Sequence, residues 1–401
     1  PIEVEKAQGA YLHTTDGRKI LDAVASWWVN PHGHSNPYIA KKVYEQMLEL
    51  EHVIFAGFTH EPAVLLGERL LAATQTGHSR VFYADNGSTA VEVALKMALQ
   101  YYHNQGEKKV KFIAFNDAFH GDTFGAMAVS GEGVFTHAFA DMLISIDRIP
   151  VPTPGKEQES LNALQSILEK GETAAFIFEP LIQGAAGMIM YEADVLDKMI
   201  ALCKANNVLT IADEVMTGFG RTGKMFATHY LENQPDIACY SKCLTGGALP
   251  MSATTASDEI FQAFWADDKM KTLMHGHSFT ANPVGCAAAL ASLDLTESEE
   301  THQQWVMISE KHKAFIEEMK VHPRIEKART LGTIMAIEIK TEEQTGYLNN
   351  LRDKLYDYFL ERDILLRPLG NIVYILPPYC ISEEDLDRTY EVIKSALRDI
   401  Q

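Results

Sequence analysis

Cationic residues are in short supply: the chain has 35 Lys and Arg against 54 Asp and Glu, a formal net charge of −19 over 401 residues. The acidic excess is spread along the chain without a block of like charge, so it serves solubility and argues against a phosphate-tracking groove. Nucleic acid is therefore not an expected partner. Long apolar runs are missing too; none reaches the roughly 18 residues needed to span a bilayer. The opening residues, PIEVEKAQGAYL, have neither the basic start nor the apolar core of a signal peptide. No membrane association is expected, and the chain is placed in the cytoplasm. It begins at Pro1 without an initiator Met and runs at once into a strand-like stretch, so a natural preceding segment is expected.

Cysteine is scarce and unpatterned. Cys203, Cys239, Cys243, Cys286 and Cys380 are an odd set with no CxxC, which excludes a disulfide scaffold and suits reduced thiols in an intracellular protein. Nothing near Cys239 and Cys243 completes a zinc set. His-Glu-x-x-His is absent, since His60-Glu61 runs into Pro62, Ala63 and Val64. His32-Gly33-His34 and His275-Gly276-His277 are pairs that 15 histidines produce by chance, and no metal is assigned. There is also no internal repeat and no low-complexity linker.

What is present is a pattern of short β-rich runs alternating with helical periodicity: VFYA (81–84), KFIAF (111–115), AAFIF (174–178), VLTIA (208–212), DIACYS (236–241) and MSATTA (251–256). These runs are apolar on both faces, as strands of a mostly parallel sheet covered by helices must be, so the fold class is α/β. Val91, Ala94, Leu95, Ala98, Leu99 and Tyr102 recur at helical spacing after Gly87, with Glu92 and Lys96 placed for an i,i+4 pair. In the last hundred residues, Leu348, Leu351, Leu355 and Phe359 mark an amphipathic helix, ILLRP and NIVYIL flank a Leu-Gly turn, and Ser382 with Asp385 opens a further helix. This is a separate α+β piece, with which the hairpin-like N-terminal stretch AYLHTTDGRKILDAVA packs.

Gly218-Phe219-Gly220-Arg221-Thr222-Gly223 satisfies GxGxxG and, with Lys224, nearly spells a P-loop. Met225 stands where a P-loop needs Ser or Thr, and Asp213-Glu214 ends the strand before the glycines begin, so the segment reads as a glycine-rich turn. Three other features carry chemistry in combination. The VFYA strand runs through Asp85-Asn86-Gly87-Ser88 into a helix, aiming free N–H groups at an anion such as a phosphate, or forming an ordinary Ser N-cap. The VLTIA strand ends in Asp213 at the sheet edge where open α/β proteins bind ligands; that acid either caps a loop or holds a heteroaromatic nitrogen protonated. A later strand ends at Lys242, followed by Thr245-Gly246-Gly247, which leave room for a ligand. An anion site, an acid and an amine at one sheet edge are the parts that pyridoxal 5′-phosphate needs: phosphate anchor, ring-nitrogen partner and Schiff-base amine.

Along essentially its whole length the sequence resembles the class III, fold-type-I aminotransferases. The resemblance rests on Asp213-Glu214 followed by GFGRTGK (218–224) and Lys242, and more narrowly on Ser26-Trp27-Trp28, HVIFAGFTHEPA (52–63), HGDTFGAM (120–127), HGHSFTANP (275–283) and RPLGNIVYILPPY (367–379). It implies a large cofactor domain over 50–293 with a mostly parallel seven-stranded sheet, a smaller discontinuous α+β domain from 1–49 and 294–401, and a homodimer with shared active sites. It puts Gly87 and Ser88 on the cofactor phosphate, Asp213 on the pyridine nitrogen, Lys242 on the cofactor carbonyl carbon as acid and base, and Phe119 on the ring face where many members have Tyr. Ser278, at a position usually Thr, would reach the phosphate of the neighbouring subunit. Trp27 or Trp28 would wall an aliphatic substrate, and with them Asp122, Arg221, Tyr374 and the carboxylate clamp Arg367 complete the substrate side.

The narrower resemblance implies amination of 8-amino-7-oxononanoate to 7,8-diaminononanoate in biotin synthesis, with S-adenosylmethionine as the usual amino donor and lysine in one branch. Another class III ω-aminotransferase or an aminomutase of the same fold would share every cofactor residue. A pyridoxal-phosphate-binding scaffold without activity would be expected to have lost Lys242 or Asp213, and both are present.

Overall fold

The computed structural model describes residues 1–133, 135–343 and 345–400. At its centre is a seven-stranded sheet in the order Arg80–Ala84, Ser252–Ala256, Ile237–Tyr240, Leu209–Asp213, Thr173–Phe178, Lys111–Phe115, Asp147–Ile149. Only Ser252–Ala256 runs against its neighbours; the others share one direction. The six strands read from the sequence are all there. The seventh, Asp147–Ile149, is three residues long and too short to show periodicity.

Burial explains why these runs are strands without alternation. All six residues of Thr173–Phe178 are buried, because helices cover both sheet faces. On one face, Leu66, Leu70, Leu164, Leu168, Leu196 and Ile200 pack against Phe115, Phe176 and Phe178. On the other, the helix Gly87–Asn104 lays Val91, Ala94, Leu95, Ala98 and Tyr102 against Phe112, Ile177 and Ile211. Its predicted Glu92–Lys96 pair does not form. Glu92 instead accepts from the Gly125 and Ala126 amides, and Lys96 reaches the Met274 carbonyl and His275, so each side chain ties the helix to another segment.

A second core lies beside the first. The antiparallel strands Ile325–Leu331, Ile334–Ile339 and Ile372–Ile375 are backed by the helices Glu299–Lys320 and Glu383–Asp399, the latter capped by Ser382 through the Asp385 amide. The N-terminal strands Val4–Gln8, Tyr11–Thr14 and Lys19–Asp22 form their own sheet, which Ile364–Leu365 joins in parallel. The two ends of the chain are thus hydrogen-bonded into one body. Leu348 is not part of the helix its spacing suggested; the helix starts at Leu351 and Leu348 is exposed.

Parallel strands deliver their C-terminal ends to a common edge. Here that edge receives Asp85–Ser88, Phe119 and His120, Glu179, Asp213 and Lys242, each following or ending its own strand.

Candidate active site

These five segments line one cavity of about 570 Å³, closed on the far side by Trp28, Val29 and Gly247–Met251, a size suited to a small cofactor with its substrate. At one end is the N-terminus of the helix Gly87–Asn104. Its cap is Asn86, not Ser88: the Asn86 side chain accepts from the Thr89 amide at 3.1 Å, and the Thr89 hydroxyl accepts from the Asn86 amide at 3.1 Å. That reciprocal cap leaves the Gly87 and Ser88 amides open at the positive helix end, a ready seat for an anion. A Cβ on Gly87 would stand 2.8 Å from Val215, so glycine keeps this end accessible. The Ser88 hydroxyl accepts from the Asp122 amide, 3.1 Å, fixing the turn opposite.

The acid is deeper. Asp213 is buried; its Oδ1 accepts from the Val215 amide at 3.1 Å, and its Oδ2 lies 2.7 Å from His120 Nδ1. His120 is itself held by the Ser130 hydroxyl on its amide, while its Nε2 is buried with no partner. The carboxylate therefore has a fixed orientation. Glu179, also buried, accepts from the Phe119 amide and the Gly184 amide, each at 3.0 Å; burial pushes its carboxyl up to about 7.

Lys242 follows the strand Ile237–Tyr240 and opens a short 3₁₀ turn with φ of 45°, a left-handed conformation that costs energy for a side chain. The turn projects its amine over Trp28, 4.6 Å from the ring centroid. Burial lowers this amine below the ordinary lysine range, opposed by the charges of Asp213 and Glu179. An amine that gives up its proton more readily is better suited to act as nucleophile and base, and the cavity pairs it with a rigidly held carboxylate.

The remaining sequence candidates fall into two groups. Trp28 lines the cavity and donates its indole N–H to the Tyr374 hydroxyl at 3.0 Å; burial pushes that hydroxyl up to about 12. Trp27 is 61 % exposed, with the Arg367 guanidinium 3.7 Å from its ring centroid. The two tryptophans sit in a tight turn, Ala25–Trp28, where Ser26 takes φ 58° and ψ −93°. Trp27, Asp122, Arg221, Ser278, Arg367 and Tyr374 do not line the cavity of this chain. Asp122 and Ser278 are exposed; Arg221 is buried, donates to the Pro377 carbonyl at 2.6 Å and faces the Tyr379 ring. The glycines 218–223 form a turn rather than a helix start, and a Cβ on Gly220 would strike the Trp305 indole. Among the described residues, no group of three or more His, Cys, Asp or Glu is placed to hold a metal, and no helix is long and apolar enough to cross a membrane.

Sequence reasoning missed Glu179, His120, Val215 and Met216 as lining residues. Glu179 had a signal: like Asp213, it is an acid directly after an apolar strand. A larger cavity, about 1410 Å³, shares Phe119 and Ala185 with the first but holds neither Asp213 nor Lys242.

Known proteins agree with the geometry. The model of the family aminotransferase class-III matches residues 1–397. The sequence is 43% identical to adenosylmethionine-8-amino-7-oxononanoate aminotransferase of Synechococcus elongatus, covering 100% of this chain and 96% of that protein. It is 37% identical to the same-named protein of Helicobacter pylori, covering 100% and 93%. The crystal structure of adenosylmethionine-8-amino-7-oxononanoate aminotransferase from Methanocaldococcus jannaschii superposes with a TM-score of 0.94 at 35% identity over 100% of this chain and 93% of that one. An omega transaminase of Pseudomonas jessenii, in complex with PMP, gives 0.93 at 26% identity over 100% and 92%.

Proposed function

The chain belongs to the class III aminotransferases, and on that premise we propose that it transfers an amino group from S-adenosylmethionine to 8-amino-7-oxononanoate, giving 7,8-diaminononanoate for biotin synthesis. It is a pyridoxal-phosphate-dependent enzyme. The observation that carries the reading is the shared cavity: a desolvated lysine amine, a buried and oriented carboxylate, and an open helix N-terminus on one sheet edge.

The residues fit the cofactor. The Gly87 and Ser88 amides would hold its phosphate, Asp213 its ring nitrogen, Phe119 its ring face, and Lys242 its carbonyl carbon. When bound, pyridoxal phosphate supplies the electron sink and carries the amino group between the two substrates. The chain's own work is positional and protic. Lys242, whose amine burial holds below the ordinary lysine range, would take the proton from the donor Cα and hand one to the cofactor's carbonyl carbon, and in the second half-reaction would move a proton the opposite way, on to the former keto carbon of the acceptor. Asp213 keeps the ring nitrogen protonated, and His120 keeps Asp213 from turning away. Trp28 excludes water beside the amine and presents an apolar wall to an aliphatic chain. Asp122, Arg221 and Tyr374 stay assigned to the substrate side.

Arg367 would clamp a substrate carboxylate. Losing a charged hydrogen-bonding partner costs about 1.5–3 kcal/mol, so Arg367→Ala is expected to raise KM for carboxylate-bearing substrates roughly tenfold to a hundredfold while the thermal midpoint stays near wild type. Steady-state kinetics beside a melting curve check this; an unchanged KM removes Arg367 from the site.

We place the enzyme in the cytoplasm as a homodimer. Support for the dimer is the exposure of large apolar side chains in the segments 54–58 and 265–279, namely Ile54, Phe58, Trp265, Met270, Met274 and Phe279. Ser278 is exposed in the second of these segments, and a second copy covering that segment would bring Ser278 towards the neighbouring phosphate site. The testing experiment is a donor screen with the oxononanoate as acceptor. Product with S-adenosylmethionine supports the reading, product only with lysine moves the chain to the lysine-using branch, and turnover confined to generic ω-amines overturns the biotin assignment.

A further inference from the structure

Three residues of the turn Ala25–Trp28 have left-handed backbone without being glycine: Ala25 at φ 48°, Ser26 at 58° and Trp28 at 68°. Such a run persists only where its surroundings over-determine it. The determinant is Asp22, the last residue of the strand Lys19–Asp22, whose side chain is fully buried. Its Oδ1 accepts from the Val24 amide at 3.1 Å. Its Oδ2 accepts from the Ser26 amide at 2.7 Å and from the Ser26 hydroxyl at 3.3 Å, and pairs with His34 Nε2 at 2.8 Å. One carboxylate thus gathers the amides on either side of Ala25, which no ladder or helix partner could satisfy in this conformation.

His34 is fixed in turn. Its amide donates to the Gly9 carbonyl at 2.7 Å and its carbonyl accepts from the Gly9 amide at 3.1 Å; at Gly33, φ 75°, a Cβ would stand 2.8 Å from that same Gly9 carbonyl. On the far side of the turn, Trp28 faces Lys242, donates to Tyr374, and accepts from the Cys243 thiol on its carbonyl at 3.3 Å. Asp22 does not line the cavity, so it touches neither cofactor nor substrate.

We propose that Asp22 and His34 are a positioning pair that locks the Ala25–Trp28 turn so that Trp28 forms the wall against which the aliphatic chain of the keto substrate packs. The proposal rests on the aminotransferase reading and extends it to residues outside the cavity. Asp22→Asn removes one acceptor and sets an amide N–H₂ against a donor, so the turn loosens while Lys242, Asp213 and the helix N-terminus are untouched.

The experiment compares wild type, Asp22→Asn, His34→Ala and His34→Gln as holoenzymes, reading hydrogen exchange of a 20–30 peptide, cofactor absorbance per subunit, and both half-reactions separately. The expected result is faster exchange at 24–28 in Asp22→Asn and His34→Ala. With it goes at least a tenfold rise in the concentration of 8-amino-7-oxononanoate needed for half-saturation, with cofactor content and donor half-reaction rate within about threefold of wild type. His34→Gln, which keeps a donor, should restore most of the affinity. Unchanged exchange in both loosened variants, or an acceptor affinity within twofold of wild type, overturns the proposal; so does a loss of cofactor in proportion to the loss of affinity, which is what a merely structural role gives. Wild type failing to aminate the oxononanoate overturns the substrate assignment instead, and the exchange measurement then decides the clamp alone.

Discussion

Lys242→Ala is expected to lose at least about 10⁴-fold in turnover, because in the proposed reaction one substitution removes both the general acid–base group and the covalent anchor of the cofactor. The geometry leaves no substitute. Among the lining residues of the cavity Lys242 is the only amine, and the two acids nearest to it, Asp213 and Glu179, are both held by backbone amides. The variant should fold, since removing a desolvated amine relieves a burial cost. It should bind pyridoxal phosphate reversibly, releasing it on dialysis, and an added small primary amine should restore part of the rate. Single-turnover measurements with each half-reaction check this. A variant that turns over near the wild-type rate would mean another group moves the proton.

Asp213→Asn should keep the shape and the Val215 amide bond but lose the charge, with turnover falling by about 10²–10³-fold, the scale of deleting one preorganised electrostatic contact at a reacting centre. Cofactor content should stay close to wild type, since the phosphate seat at Gly87 and Ser88 and the Lys242 amine are unaltered. The discriminating readout is the donor half-reaction: removal of the Cα proton slows, while donor binding changes little. Near-normal proton removal would contradict the electron-sink assignment, and wholesale cofactor loss would make Asp213 a structural acid.

How much of this was legible in the sequence follows from where each signal is local. Asp213 and Lys242 could be found because each ends or closely follows an apolar run, and parallel strands bring such ends to one edge whatever the loops do. The helix after Gly87 was legible from its periodicity, but its cap was not: Ser88 looked like the N-cap, whereas Asn86 and Thr89 satisfy each other and leave Ser88 to the Asp122 amide. Glu92 and Lys96 have ideal helical spacing, yet both are drawn to residues far along the chain, and a tertiary partner outweighs a surface pair worth a few tenths of a kcal/mol. Which of the two tryptophans faces the cavity was not legible, because it depends on the turn that carries them. Only the contacts of Asp22 with Val24, Ser26 and His34 reveal a turn. Glu179 offered only its place after an apolar strand and His120 no signal, because the meaning of each depends on a distant partner: Phe119 for Glu179 and Asp213 for His120. Trp27, Asp122, Arg221, Ser278, Arg367 and Tyr374 came from resemblance alone, and in a single chain they stand outside the cavity lining.

The account turns on the amine at 242 and the acid at 213 gripping one ring. Reducing the holoenzyme with borohydride and mapping the modified peptide tests this most directly. A single stoichiometric pyridoxyl label on Lys242, with absorbance loss in step with activity, is the predicted outcome; a label on any other lysine, or full activity after reduction, contradicts it.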